Sequence, residues 1–183
     1  MNTNKISFLS KIVICNFLFA FLFISGMYAQ SCNAELSVEK NRNSKSADED
    51  GAVYDMVLTN TSNAVANYTI SIKELAESCS NSNVAYRTSE ANVSLDVAIN
   101  GKKMATQNNK NSLSNNASKA FANNDKISVK PGQSYNFKVK VTVPKGTPSK
   151  RWSCIQVEAK SPSCKGKAAS TVLKVFVPDP TEG

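Results

Sequence analysis

The residues whose types and spacing invite a chemical reading fall into two groups: Lys138, Lys140 and Trp152, and the acidic run Asp48, Glu49 and Asp50 with Asp55 beyond it. Trp152 is the only tryptophan, and its large amphipathic ring can stack on a sugar or anchor a protein contact. In strand register with Ile155, Val157 and Ala159 inward, Trp152 and Cys154 point outward. Lys138 and Lys140 are then candidate neighbours on an outer sheet face. The alternative is that Trp152 covers a disulfide or the rim of a sheet. The acidic run offers oxygen ligands of the kind Ca²⁺ prefers. Its spacing departs from the EF-hand pattern, which alternates acids before the glycine. The competing reading is a polar turn with Gly51 at positive φ.

Catalytic constellations are scarce. The chain contains no histidine, which removes Ser-His-Asp and Cys-His machinery and histidine-based metal ligation. Ser-Lys pairs occur only in polar, loop-like stretches. Glycoside hydrolysis needs two carboxylates converging in a cleft, one in an apolar setting. Asp96 and Glu158 are the nearest candidates, and both read as solvated strand-face residues. The expectation is therefore a non-catalytic protein with no cofactor beyond the candidate Ca²⁺ site.

The elements that must position these residues begin after an apolar N-terminus. Lys5 and Lys11 lead into "IVICNFLFAFLFISGMYAQ", and Ala29 supplies the small residue of a cleavage site, so residues 1–30 read as a signal peptide. A retained anchor is the competing reading, because the run approaches the roughly 20 residues a bilayer requires. No basic stop-transfer cluster follows it. A third reading lipidates Cys32, and for a chain cleaved of its leader this is the one route by which the sequence suggests membrane attachment. The expected location is periplasmic, cell-surface or extracellular.

Removal of Lys5 and Lys11 lowers the formal net charge from +8 to +6. The remaining basic residues are scattered among acids, with only Arg42, Arg87 and Arg151 as arginines. That pattern fits a solvated surface and not a nucleic-acid interface. Cys32, Cys79, Cys154 and Cys164 survive cleavage, an even number in an exported chain, which points to two disulfides. Loop closure favours Cys154–Cys164 and leaves Cys32 with Cys79. Metal binding by these thiols is disfavoured by their spacing.

Beyond residue 30, period-2 alternation recurs between turn signals and no helical stripe is sustained. Strands are expected at 34–40, 52–60, 67–74, 92–100, 127–129, 134–143, 151–159 and 170–177. The inward sets include Tyr54, Met56 and Leu58; Tyr68, Ile70 and Ile72; and Phe137, Val139 and Val141. Residues 101–126, rich in Asn, Ser and Lys, read as one long polar loop. The sum is an all-β, immunoglobulin-like antiparallel β-sandwich of about eight strands, one domain over residues 31–183, stapled by two disulfides.

The stretch "ISVKPGQSYNFKVKVTVPKGTPSKRWSCIQVEAKS", with "STVLKVFV" after it, resembles the C-terminal half of bacterial immunoglobulin-like accessory domains. Such domains stand beside catalytic modules in secreted alpha-galactosidases and in surface proteins. Pro131, Gly132, Val143 and Pro144 match the Pro-Gly corner and the Val-Pro strand end. The cysteines and the 101–126 insertion depart from the pattern, so the resemblance implies the fold alone. The Asn/Lys/Ser bias and the Tyr-Ala-Gln leader ending look like those of an exported Bacteroidetes-type protein. Two functional readings follow. One is a binding or adhesion module of the cell envelope or extracellular space, with a protein or polysaccharide ligand. The other is a structural or assembly subunit that pairs by β-augmentation.

Overall fold

The computed structural model describes residues 33–47, 50–76, 79, 92–103, 105–107, 120–162, 168–179 and 181. The candidate leader, Cys32, Asp48, Glu49 and Cys164 lie outside the described residues. The sandwich belongs to a compact unit, Cys32–Gly183.

Among the described residues, eleven strands, against the eight or so expected, make up two sheets: β1 (Ala34–Val38), β2 (Ser44–Ser46), β3 (Ala52–Asn60), β4 (Ala66–Glu74), β5 (Asp96–Ile99), β6 (Lys102–Lys103), β7 (Ala105–Gln107), β8 (Ala120–Val129), β9 (Ser134–Thr142), β10 (Arg151–Lys160) and β11 (Ala169–Val177). One sheet runs β1-β3-β9-β5-β6 and the other β2-β11-β10-β4-β8-β7. A 3-10 turn, Glu39–Asn41, carries the chain from β1 in the first sheet to β2 in the second. There β2 runs parallel to β11, through Ser44↔Lys174 and Ser46↔Phe176.

The core follows from strand alternation. Tyr54, Met56 and Leu58 on β3 and Val139 and Val141 on β9 meet Ile70, Ile72, Ile155, Val157, Leu173 and Val175 of the other sheet. All are buried, as two facing apolar sheet surfaces require. The expected strand at 52–60 is found at those bounds, and the inward sets of β3, β4 and β9 are those the alternation specifies.

Turn chemistry fixes the register. Lys130-Pro131-Gly132-Gln133 closes with Gln133 N–H donating to Lys130 C=O at 3.1 Å, and Gly132 has φ 68°. Proline followed by a positive-φ glycine is the type II signature. Asn100 and Gly101, at φ 48° and 80°, join β5 to β6 with Ile99 opposite Lys102. This is the Asn-Gly hairpin turn whose twist matches that of the flanking strands.

Two expectations are corrected. Residues 101–126 are not one loop, because β6, β7 and the first part of β8 lie within it. β8 starts at Ala120 because its backbone continues along β4, where Ile72 faces Phe121 and Ile70 faces Asn123. A register shift between Tyr68 and Ile70 absorbs the mismatch. Main-chain pairing with an apolar neighbour overrides the poor strand propensity of "ANND". The disulfide pairing also differs. Among the described residues there is one disulfide, Cys79–Cys154, in place of Cys154–Cys164 and Cys32–Cys79. β4 lies beside β10, and Leu75 N–H donates to Cys154 C=O at 2.8 Å, so the chain leaving β4 delivers Cys79 to Cys154. Spatial neighbourhood created by the sheet outweighs the short loop that favoured Cys164.

Candidate functional site

The outward-facing residues divide between two sheets, and that division decides which constellations exist. Lys138 and Lys140 stand on the outer face of β9, in the first sheet. Trp152 stands on the outer face of β10, in the second. The two lysines and the tryptophan therefore do not share a face. Trp152 is also not exposed. It is 4% accessible, with its ring 5.2 Å from that of Phe176, and its carbonyl accepts from Val93 N–H at 2.9 Å. The expectation of an outward tryptophan is met in direction and corrected in exposure. Alternation gives the direction, and the ring of Phe176, paired with Trp152 across β10 and β11, packs against it on that face.

On the first sheet, Lys138 is spoken for. Its ammonium lies 3.5 Å from Asp55, across the β3–β9 pairing, and its backbone N–H donates to Asn100 Oδ1 at 2.9 Å. Asp55, one of the four candidate Ca²⁺ ligands, is thus turned to a lysine on the sheet face. Asp50 precedes Gly51 at the entry to β3. No group of three or more acidic or cysteine side chains able to hold a metal occurs among the described residues. Gly51 sits at φ 90°, as the polar-turn reading requires, and a Cβ there would come within 2.2 Å of Val141 C=O. Both the backbone angle and the close approach of β9 demand glycine.

Asp96 and Glu158 do not converge either. Asp96 faces out from β5 in the first sheet, while Glu158 faces out from β10 in the second, 3.0 Å from Lys160. Carboxylates on opposite outer faces cannot flank one bond.

A polar centre that the sequence reading missed lies at the end of β3. Asn60, fully buried, donates through Nδ2 to Ala64 C=O and to Val129 C=O, both at 2.8 Å. Its Oδ1 accepts from Ser62 N–H at 3.0 Å, Ser62 Oγ at 2.6 Å and Tyr68 Oη at 3.2 Å. Its backbone meets the Pro-Gly turn through Gly132 N–H at 2.8 Å. One carboxamide therefore ties β3, its following turn, β4 and β8. The signal in the sequence is an Asn at a strand end followed by Thr-Ser-Asn, the setting of an Asx-turn. Asn60 also heads an Asn-x-Ser sequon, and its burial gives that motif a turn role.

Tyr54 is the second buried polar side chain joining the layers. Its hydroxyl donates to Lys174 C=O at 2.8 Å, and Lys45 Nζ lies 5.1 Å from its ring centroid. Burial pushes the Tyr54 hydroxyl well above the ordinary phenol range, offset in part by a backbone hydrogen bond at Lys45.

The strand edges carry the remaining polar surface. Thr61 N–H donates to Asn33 C=O, and β1 runs antiparallel to β3 with Ala34 opposite Asn60. Alternation of bonded and non-bonded pairs then directs the main-chain groups of Glu35 and Ser37 at β3. Those of Ala34, Leu36 and Val38 point away from β3, along the edge of the sheet that no described strand pairs with. The first half of β3, beyond the reach of β1, also has a side that no described strand pairs with. There the Lys45 ammonium donates to Val53 C=O. A lysine capping an unpaired carbonyl is a device that discourages unwanted strand addition.

No protein-family model and no curated protein matches the chain. Solved structures similar to it include a family 123 glycoside hydrolase from Clostridium perfringens, 12% identical with a TM-score of 0.46, matched over 80% of this chain and 28% of the hydrolase. A FixG-related protein from Vibrio parahaemolyticus is 15% identical with a TM-score of 0.41, over 81% of this chain and 96% of that one. The periplasmic chaperone SfaE is 10% identical with a TM-score of 0.42, over 80% and 58%. The chain thus spans under a third of the hydrolase it matches. The all-β architecture rests on the chain's own sheet order and burial.

Proposed function

We propose that this chain is an exported, non-catalytic assembly or binding module of the cell envelope that engages a protein partner by adding the partner's extended strand along β1. The observation that carries this reading is the direction of the main-chain groups of Ala34, Leu36 and Val38, which face away from β3. A strand edge of this kind offers a ladder of donors and acceptors, while the buried Leu36 and Val38 side chains hold it in place. The reading needs no cofactor and no metal. It also fits the separation of Asp96 from Glu158, the two carboxylates that the sequence offered as nearest candidates for hydrolysis.

The second reading, a polysaccharide-binding surface, drew on Trp152 beside Lys138 and Lys140. The burial of Trp152 and its place on the other sheet remove that support. What is left for it is the outer face of β9 and its neighbours, where Lys138 is matched by Asp55.

The test uses proline placed by parity. Ala34→Pro removes an N–H on the free edge and leaves the β1–β3 ladder intact, while its fixed φ is compatible with an extended strand. Capture of an envelope protein by the wild type, lost in Ala34→Pro with an unchanged melting temperature, is the expected result. Capture that survives Ala34→Pro, or retention on insoluble polysaccharide with no protein captured, would reject edge pairing in favour of another surface.

A further inference from the structure

The backbone is strained where β1 joins the rest of the sandwich. Between Val38, the end of β1 in the first sheet, and Ser44, the start of β2 in the second, the chain turns through Glu39–Asn41. Lys40 and Asn41 both sit in the left-handed region, at φ 57° and 55°. That region crowds the Cβ of an L residue; asparagine tolerates it through its short polar side chain, and lysine has no such means. Elsewhere among the described residues positive φ falls on glycines and, singly, on Asn100 and Lys150. Little holds the turn in return. None of its residues is buried, and the main-chain bond that closes it, Arg42 N–H to Glu39 C=O, is long at 3.4 Å. The ion pair of Lys40 with Glu39, at 3.6 Å, is exposed on both sides and adds little. The segments it connects are better seated. Lys174 N–H donates to Asn43 C=O at 2.7 Å and Ala47 N–H to Phe176 C=O at 2.8 Å, on either side of β2. β1 has its ladder to β3, from Ala34↔Asn60 to Val38↔Met56, and the buried side chains of Leu36 and Val38.

We infer that β1 exchanges between two copies of this chain: the turn from Glu39 to Arg42 opens, and the β1 of each copy takes its place beside β3 of the other. Every contact that β1 makes with β3 and the core is remade unchanged in the second copy, because the two chains are identical. What differs between the two arrangements is the turn, left-handed at two side-chain-bearing residues when closed and extended when open. Strain in a short hinge is the condition that favours such an exchange. β1 is suited to leave, as the first strand of the described residues and an edge strand with one described neighbour, so its departure breaks no other ladder among them. Asn43 marks where the hinge ends, since its carbonyl is held by Lys174 of β11. The exchange does not rest on edge pairing. It uses the side of β1 that faces β3, through the main-chain groups of Glu35 and Ser37, and leaves those of Ala34, Leu36 and Val38 directed as before.

To test this, the protein would be unfolded and refolded at high concentration in a thiol redox buffer, and its mass followed by size-exclusion chromatography with light scattering. The expected result is a dimer that persists on dilution, because return to the monomer requires β1 to be withdrawn from a core. Lys40→Gly combined with Asn41→Gly removes both Cβ atoms from the left-handed positions. It should lower the dimer fraction several-fold with the β-sheet circular dichroism retained. Ala34→Pro, which blocks strand addition at the edge, should leave the dimer fraction unchanged. Which strand has moved is read from Glu35→Cys and Thr59→Cys, directly opposed across β1 and β3 and placed in separate batches. Batches refolded together should give a disulfide-linked mixed dimer, and batches folded apart and then mixed should not. A chain that stays monomeric at every concentration, or a dimer formed equally by the double glycine variant, would overturn the exchange. A dimer that dissociates on dilution and is lost in Ala34→Pro would overturn it as well, in favour of folded copies paired edge to edge.

Discussion

At the scale of single residues, two buried polar side chains do work that no apolar substitute could do. Asn60 uses both carboxamide atoms at once, meeting Ala64, Val129, Ser62 and Tyr68. Replacing it with alanine leaves several of those groups buried and unpaired, at a cost of roughly 2–4 kcal/mol. A urea titration of Asn60→Ala should show a lowered midpoint at unchanged slope. Tyr54 carries a pH signature. Its pKa is raised in the folded state, chiefly by burial, so the folded protein holds this proton after an unfolded chain has begun to lose it. The stabilisation is fully present below about pH 10, the ordinary phenol value, and falls away as pH rises beyond it. Tyr68, raised by burial in the same direction, adds to the trend. Denaturation at pH 8 and at pH 11 should show a loss of stability at the higher pH, smaller in Tyr54→Phe than in the wild type.

At the scale of elements, backbone geometry sets where strands begin and which edges stay open. The entry to β3 passes through Gly51, whose missing Cβ leaves room for Val141 C=O. Gly51→Ala combines a left-handed backbone strain of about 1–3 kcal/mol with a steric clash against main chain. Its melting temperature should fall by more than that of an alanine placed at Gly132, which has open space around it. β3 and β9 were legible in the sequence because each alternates apolar and polar residues over nearly its whole length and ends at turn residues. β8 was legible only at Ile127–Val129. Its earlier half has little apolar signal, and what makes it a strand is the backbone of β4 alongside. β2 left no period-2 trace at all, since three residues, Ser44–Ser46, follow the end of β11 in parallel. The Asn100-Gly101 hairpin was legible in principle, as Asn-Gly after an apolar strand is a strong short-range turn signal. It was passed over because the polar composition that follows it dominated the reading.

At the scale of the whole molecule, one covalent bond joins segments 75 positions apart in sequence. Closing a loop of that length restricts the unfolded chain and stabilises the fold by about 4 kcal/mol in the chain-entropy account. The double variant Cys79→Ser with Cys154→Ser should lose a comparable amount in denaturant unfolding while remaining folded at room temperature. Peptide mapping of the oxidised protein should recover Cys79 linked to Cys154, a link that would leave Cys32 and Cys164 as the pair for a second bridge in a chain cleaved after residue 30. Recovery of a Cys154–Cys164 link would reject the arrangement described here. At this scale the function also takes its shape, because the two sheets separate groups that lie close in the chain.

The sequence alone determined the class of fold, the faces of the long strands and the Pro131-Gly132 corner. Each of these depends on local alternation or on the φ a residue can adopt, and both are written into consecutive residues. It also suggested the candidates for chemistry, because residue type alone says what a side chain can do. Only the tertiary structure decided which of them meet. It divided Lys138 and Lys140 from Trp152, and Asp96 from Glu158, placing them on different sheets. It also brought Cys79 to Cys154, made Asn60 the junction of β3, β4 and β8, and left the groups of Ala34, Leu36 and Val38 facing outward. The physical reason is that strand partnership is a contact between distant segments, settled by which apolar faces and main-chain ladders fit together, and no window of neighbouring residues contains it.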